Sequence, residues 1–154
     1  MNDHLKHFIV CALITLGASG AAQARDSDED RKPCSDATLH GLYVFTASGF
    51  NIVGGAAQPK AIVELIRFNG DGSLTVPAST VSINGVITRS PPDGPGSYEV
   101  GADCTGSLVF GPPGPTPQGP TYDLFVGFKG SEINMIQTGP GAPVFQGTAE
   151  RQSR

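Results

Sequence analysis

Apolar and polar positions alternate over short distances through most of this chain. Residues 41–48 (GLYVFTAS) and 60–68 (KAIVELIRF) are rich in β-branched and aromatic side chains, which suit a pleated strand. The second run ends in Asn69-Gly70-Asp71-Gly72, a tetrad that tolerates positive φ and predicts a tight hairpin, with residues 73–76 leading out of it. Residues 80–83 and 86–89 flank Asn84-Gly85, a second strong hairpin signal. Further strands are predicted at 97–100, 106–110, 121–129, 131–138 and 144–151, with turns at Asp103-Cys104-Thr105 and Lys129-Gly130. No stretch carries a helical apolar period of useful length, and Gly and Pro fall mostly between the apolar runs, where they act as turn punctuation. Eight or nine short strands at regular spacing predict an all-β sandwich or closed antiparallel barrel, and closure removes the exposed edges a small sheet must otherwise protect.

Two stretches interrupt this grammar, residues 90–96 (SPPDGPG) and 111–120 (GPPGPTPQGP), and both read as stiff extended loops. The second loses its triplet register after two repeats, since Gly119 is out of phase with Gly111 and Gly114, whereas a collagen triple helix needs Gly at every third position. A proline ligand for an aromatic groove is the functional alternative.

Strand alternation assigns faces. In residues 60–68, Ile62, Glu64, Ile66 and Phe68 share one face and Ala61, Val63, Leu65 and Arg67 the other. In residues 121–129, Tyr122, Leu124, Val126 and Phe128 stand against Asp123, Phe125 and Gly127. Both faces are largely apolar, so the wall is expected to be covered on both sides by the N-terminal segment, a long loop or another subunit of a homo-oligomer. Glu64 stands out, because a carboxylate among isoleucines is costly unless it is paired or faces a wet cavity. It is either a polar group inside a ligand-holding barrel or half of an ion pair with an arginine such as Arg89 or Arg151.

The first 24 residues have a different pattern. A short polar start is followed by the apolar run 8–16 (FIVCALITL), then by breakers and Ala22-Gln23-Ala24. This is the layout of a signal peptide cleaved after Ala24. The apolar run is shorter than the roughly 20 residues a membrane span needs, and no later segment is apolar enough, so no integral membrane span is expected. Residues 25–38 begin with RDSDEDRK and form a charged leader, and residues 39–154 form the one domain. A secreted or periplasmic location follows.

Net charge is −4, and the basic residues stand singly, which argues against nucleic acid as a partner. Removing Cys11 with the signal leaves Cys34 and Cys104, an even pair in an oxidising compartment, and a disulfide is expected. Closing a loop of about 70 residues would stabilise the fold by roughly 4 kcal/mol.

The catalytic inventory is thin and favours a binding protein over an enzyme. His40 is the one histidine left after processing, and with both cysteines oxidised no His/Cys metal site remains. No Gly-x-Ser-x-Gly elbow and no phosphate-cradling glycine motif is present in the processed chain. Asn69-Gly70-Asp71-Gly72-Ser73 looks superficially like a calcium loop, but Thr80 stands where an EF-hand needs its closing glutamate. No metal or cofactor is expected.

Cys34 ahead of 39–45 (LHGLYVF), 68–75 (FNGDGSLT), 96–100 (GSYEV), 103–108 (DCTGSL), 136–138 (IQT) and 147–152 (GTAERQ) form a recognisable series. It resembles a group of secreted bacterial proteins and, more distantly, the allene oxide cyclase-like, calycin-type eight-stranded barrels. The resemblance implies a small antiparallel eight-stranded calycin-like barrel, and by fold analogy a cyclase or isomerase acting on an apolar polyene or fatty-acid derivative. Three functions stay open. The first is binding of a small apolar or amphipathic ligand in the barrel, with Glu64, Tyr43 and Tyr122 as the polar contacts. The second is a cyclase or isomerase using the same groups, and the third is an extracellular protein-interaction module.

Overall fold

A computed structural model describes residues 32–153 apart from Ala142. The expected signal peptide, its cleavage site and most of the charged leader lie outside the described residues. Nine strands form among the described residues: β1 (His40–Val53), β2 (Ala56–Asn69), β3 (Ser73–Ile83), β4 (Val86–Arg89), β5 (Gly94–Val100), β6 (Thr105–Phe110), β7 (Thr121–Val126), β8 (Glu132–Gly139) and β9 (Val144–Arg151). All pairings are antiparallel. β1, β2, β3, β5, β6, β7, β8 and β9 pair in that order, and β9 returns to β1. The result is the closed eight-stranded barrel the strand grammar predicts, and it is consistent with a calycin-like fold.

The ninth strand is an interrupted piece of the eighth wall. β4 pairs with the far half of β3 (Thr80↔Arg89) and β5 with its near half (Val76↔Gly94). Together they make one long partner for β3, broken where Pro91 and Pro92 can donate no ladder hydrogen bond. Only Ser90–Asp93 falls outside the strands. The remainder of the expected 90–96 loop, Gly94 to Gly96, is strand.

β3 also runs unbroken from 73 to 83, where the sequence suggested two pieces. The reason is a bulge. Between the pairs Leu65↔Ala78 and Arg67↔Thr75, the single residue Ile66 faces both Val76 and Pro77. Proline is tolerated in a sheet at such a point, and the extra residue reverses the inward phase of the strand. Leu74 and Val76 are buried before the bulge, and Ser79 is buried after it. That phase change sets Ser79 directly across from Glu64.

Inward side chains form the core of the barrel. Tyr43, Phe45, Phe68, Leu108, Leu124, Ile133 and Phe145 have almost no exposure. Edge-to-face aromatic contacts link Tyr43 to Phe68, Phe68 to Tyr98, and Phe45 and Phe110 to Tyr122, with centroids 4.9–5.9 Å apart. Such pairs add about 1 kcal/mol beyond their buried area.

One end of the barrel is plugged by the segment before β1. Cys34 and Cys104 form the expected disulfide, with Cα atoms 5.0 Å apart. A 3-10 turn at Asp36–Thr38 follows, and Asp36 Oδ1 accepts the Val100 N–H at 2.7 Å. Leu39 then enters the core with no exposure. The expected turn at Lys129-Gly130 lies in a second 3-10 turn, Phe128–Gly130, which ends the expected 121–129 strand at Val126.

Candidate functional site

β2 builds the site. Its inward positions climb from the plugged end in the order Phe68, Ile66, Glu64, Ile62 and Lys60. Each has a neighbour across the β2–β3 ladder: Glu64 faces Ser79, Ile62 faces Val81, and Lys60 faces Ile83. On the other side the same rungs meet Phe45, Ala47 and Gly49 of β1. Exposure falls along this path. Lys60, Ile62, Val81 and Ile83 are half-buried, while Glu64 and Ser79 are 6 % and 7 % exposed. The inner wall thus runs from a cationic and apolar rim, through an apolar rung, to a carboxyl–hydroxyl rung.

The rim is tied down by its own contacts. Lys60 Nζ donates to Gln137 Oε1 at 3.0 Å and lies 4.0 Å from the centroid of the Phe145 ring. Gln137, also buried, donates its Nε2 to the Gly139 carbonyl at 3.0 Å. Both ends of the Gln137 amide are therefore engaged. Burial lowers the Lys60 pKa, and the charge of Glu64 opposes that shift.

Glu64 is less well served. Burial pushes its carboxyl up to about 7, while the Ser79 hydroxyl and the Lys60 ammonium pull it back. Its Oε1 is the one buried side-chain oxygen or nitrogen among the described residues with no hydrogen-bond partner. Leaving such an atom unsatisfied costs about 1–3 kcal/mol, and more when it is charged. Neither arginine suggested by the sequence pairs with it. Arg89 lies on the exposed β4, and Arg151 is bound at the plugged end. The cation acting on Glu64 is Lys60, on its own strand.

Of the three polar residues singled out in the sequence, two come together. Tyr122 is buried close enough to Glu64 that the carboxylate charge adds to burial in raising the phenol's pKa. Tyr43 sits at the other end. Its hydroxyl donates to the Gly130 carbonyl at 2.6 Å and accepts from Arg151 Nε at 2.9 Å. Arg151 also donates to the Thr38 carbonyl at 2.8 Å. Gly130 has a φ of 63°, and any side chain there would meet the Thr38 carbonyl and the Arg151 guanidinium, so the turn needs glycine. Sequence reasoning missed Lys60, Ser79 and Gln137. Strand phase could have placed Lys60 with Glu64, but Ser79 is brought in only by the bulge.

The outer wall offers two shallow grooves. One, of about 650 Å³, crosses β1, β2, β7, β8 and β9 and is lined in part by Thr46, Ser48, Val63, Phe125 and Ile136. Val63 and Phe125 are more than half exposed there. The doubly apolar wall expected from the sequence is therefore real in composition, and its outer face is open among the described residues. A second groove, of about 470 Å³, lies over β5, β6 and β7 beside Glu99, Ser107 and Asp123.

The Asn69–Ser73 segment is a turn. Asp71 Oδ1 accepts from the Ser73 N–H at 3.0 Å and from its hydroxyl at 2.7 Å. Asp103 repeats the arrangement on Thr105. Among the described residues no group of three or more His, Cys, Asp or Glu side chains is placed to hold a metal ion, and no helix is long and apolar enough to cross a membrane. No protein-family model matches the chain, and neither the curated proteins nor the solved structures contain a match.

Proposed function

We propose that this protein binds a small amphipathic molecule in the half of the barrel that carries Glu64. In this reading the ligand's polar end reaches the Glu64 rung, and its apolar part lies along Ile62, Val81 and Ile83. The observation that carries the reading is Glu64 Oε1, a buried acceptor with no partner among the described residues. A chain could remove that cost by replacing the residue with leucine. A ligand that donates a hydrogen bond gives a physical reason to keep it. The reading extends to a secreted or periplasmic protein, processed after Ala24, in which the Cys34–Cys104 bridge is stable. Native mass spectrometry against a panel of fatty acids, fatty alcohols and polyenes tests it. Bound ligand that is lost in Glu64→Leu supports it, and absence of any bound species across the panel overturns it.

A second reading, a cyclase or isomerase of the allene oxide cyclase-like class, draws on the same rung. A carboxyl titrating near 7 beside a buried phenol suits a general base at neutral pH. Chromatography of a bound polyene after incubation decides between the two. A new isomer that forms with the native protein and not with Glu64→Gln supports catalysis, and unchanged ligand retires it.

A further inference from the structure

Two Asn-Gly pairs turn this chain, and the structure treats them differently. Asn69-Gly70 lies between β2 and β3, and Asn84-Gly85 joins β3 to β4. An asparagine before a glycine is open to attack by the backbone on its own side chain, because glycine has no Cβ to shield the attacking nitrogen. The reaction needs an asparagine amide free to turn, a glycine nitrogen free of its hydrogen-bond partner, and a backbone able to bring the two together.

At Asn69-Gly70 all three are withheld. Asn69 Nδ2 donates to Ser73 Oγ at 2.9 Å. The Gly70 N–H donates to Tyr98 Oη at 3.0 Å. The plug covers the turn, since a Cβ at Gly70 would stand 3.3 Å from the His40 ring and 3.8 Å from the Ala37 backbone. Both flanking strands belong to the closed ring, and Phe68 and Leu74 beside the turn are buried. Opening this turn therefore means opening the barrel.

Asn84-Gly85 stands in the open. Both residues are exposed, and a Cβ at Gly85 would meet nothing within 4 Å. The β3–β4 ladder ends at Ile83↔Val86, so neither turn residue belongs to it. The Asn84 N–H donates to the Pro59 carbonyl at 2.8 Å, a bond that engages neither the Asn84 side chain nor the Gly85 nitrogen. β4 has four residues, all exposed, and among the described residues it pairs with β3 alone. It can leave β3 without breaking any pair of the eight-stranded ring, and local opening of such an element costs far less than global unfolding.

We propose that Asn84 is a self-modification site, where the chain converts an amide into aspartate and isoaspartate while Asn69 is held intact by its fold. The Gly85 nitrogen attacks Asn84 Cγ. The N–Cγ bond closes a five-membered succinimide, the Cγ–Nδ2 bond breaks, and the proton of the attacking nitrogen leaves on ammonia. Water then opens the ring at either carbonyl. Opening at the backbone carbonyl gives isoaspartate, which lengthens the main chain by one methylene. A two-residue turn closes its hairpin only at its own length. The isoaspartate form therefore releases β4 from β3 and leaves the ring closed.

Peptide mapping by mass spectrometry tests this on the purified protein held at pH 8, beside the same protein in concentrated urea. In urea both Asn-Gly pairs should lose ammonia at similar rates. In the folded protein Asn84 should react about tenfold faster than Asn69 or more, the difference between a local and a global opening. Ser73→Ala and Tyr98→Phe, which remove the two bonds that hold the first turn, should each speed Asn69 and leave Asn84 unchanged. Hydrogen exchange on the aged protein should show faster exchange in β4 and unchanged protection in β1 and β2, and Asn84→Gln should prevent the change in β4. Equal rates at the two sites in the folded protein, a faster Asn69, or loss at neither site while both react in urea would each overturn the proposal. Unchanged β4 exchange in protein shown to carry isoaspartate at 84 would overturn the release of β4 and leave the modification site standing.

Discussion

The two ends of the barrel treat buried polar groups in opposite ways. At the plugged end each buried phenol is fully engaged. Tyr43 bridges Gly130 and Arg151, and the Tyr98 hydroxyl accepts from the Gly70 N–H at 3.0 Å while lying 3.0 and 3.1 Å from the Asp36 and Leu39 carbonyls. At the other end a carboxyl oxygen is buried with no partner among the described residues. A satisfied polar network fixes the fold, whereas an unsatisfied one costs stability. The difference teaches that the plugged end serves architecture, and that the Glu64 end carries a cost that folding alone does not explain.

The largest expected effect lies at the plugged end. The Cys34–Cys104 bridge closes 70 residues of chain. Replacing both cysteines with alanine should lower unfolding free energy by about 4 kcal/mol in urea titrations. A loss under 1 kcal/mol would mean the plug holds without its staple.

Next comes the pH dependence at the other end. Burial holds the Glu64 carboxyl up at about 7 in the folded protein, above its ordinary value of about 4.5. The folded protein therefore holds the extra proton between those values, and stability falls as pH rises from 4.5 to 7, then levels off. The drop assigned to this group is about 3 kcal/mol. Glu64→Gln should flatten it, as read from denaturation midpoints at pH 5 and pH 8. An unchanged slope would move the titration to another residue.

Smaller still is Tyr43→Phe. It removes a buried hydroxyl that serves two partners and should cost about 2 kcal/mol. The matched change Tyr122→Phe should stay within about 0.5 kcal/mol, because the contacts that seat that ring are aromatic. Equal losses at the two tyrosines would erase the contrast between the ends.

Much of the barrel was legible in the chain. Asn69-Gly70 and Asn84-Gly85 mark turns by their φ requirements, and both residues 70 and 85 have positive φ. The disulfide followed from counting cysteines. Other features were hidden for physical reasons. The hairpin between β1 and β2 extends to Val53 and Ala56, where Ala, Gln and Pro carry little strand preference and cross-strand pairing decides. The pattern gave separate pieces at 73–76 and 80–83, whereas β3 continues through a bulge at Val76 and Pro77. In the site, alternation set Glu64 on one face with Ile62 and Ile66, and Tyr122 on one face with Leu124, but with both faces largely apolar it could not say which face is inward. Alternation fixes a face and not a depth, so it could not tell that Tyr43 lies at the plugged end. Depth depends on the stagger of strands around the ring, which no single strand encodes.

The account rests on the Glu64 carboxyl being a structural cost kept for another purpose. Urea denaturation of Glu64→Leu beside the native protein at pH 8, without ligand, tests this directly. The account predicts a more stable leucine variant, because the unpartnered oxygen is gone and the rung becomes apolar. A leucine variant clearly less stable than the native protein would show that the carboxylate is an integral, satisfied part of the wall, and the two ends would no longer differ.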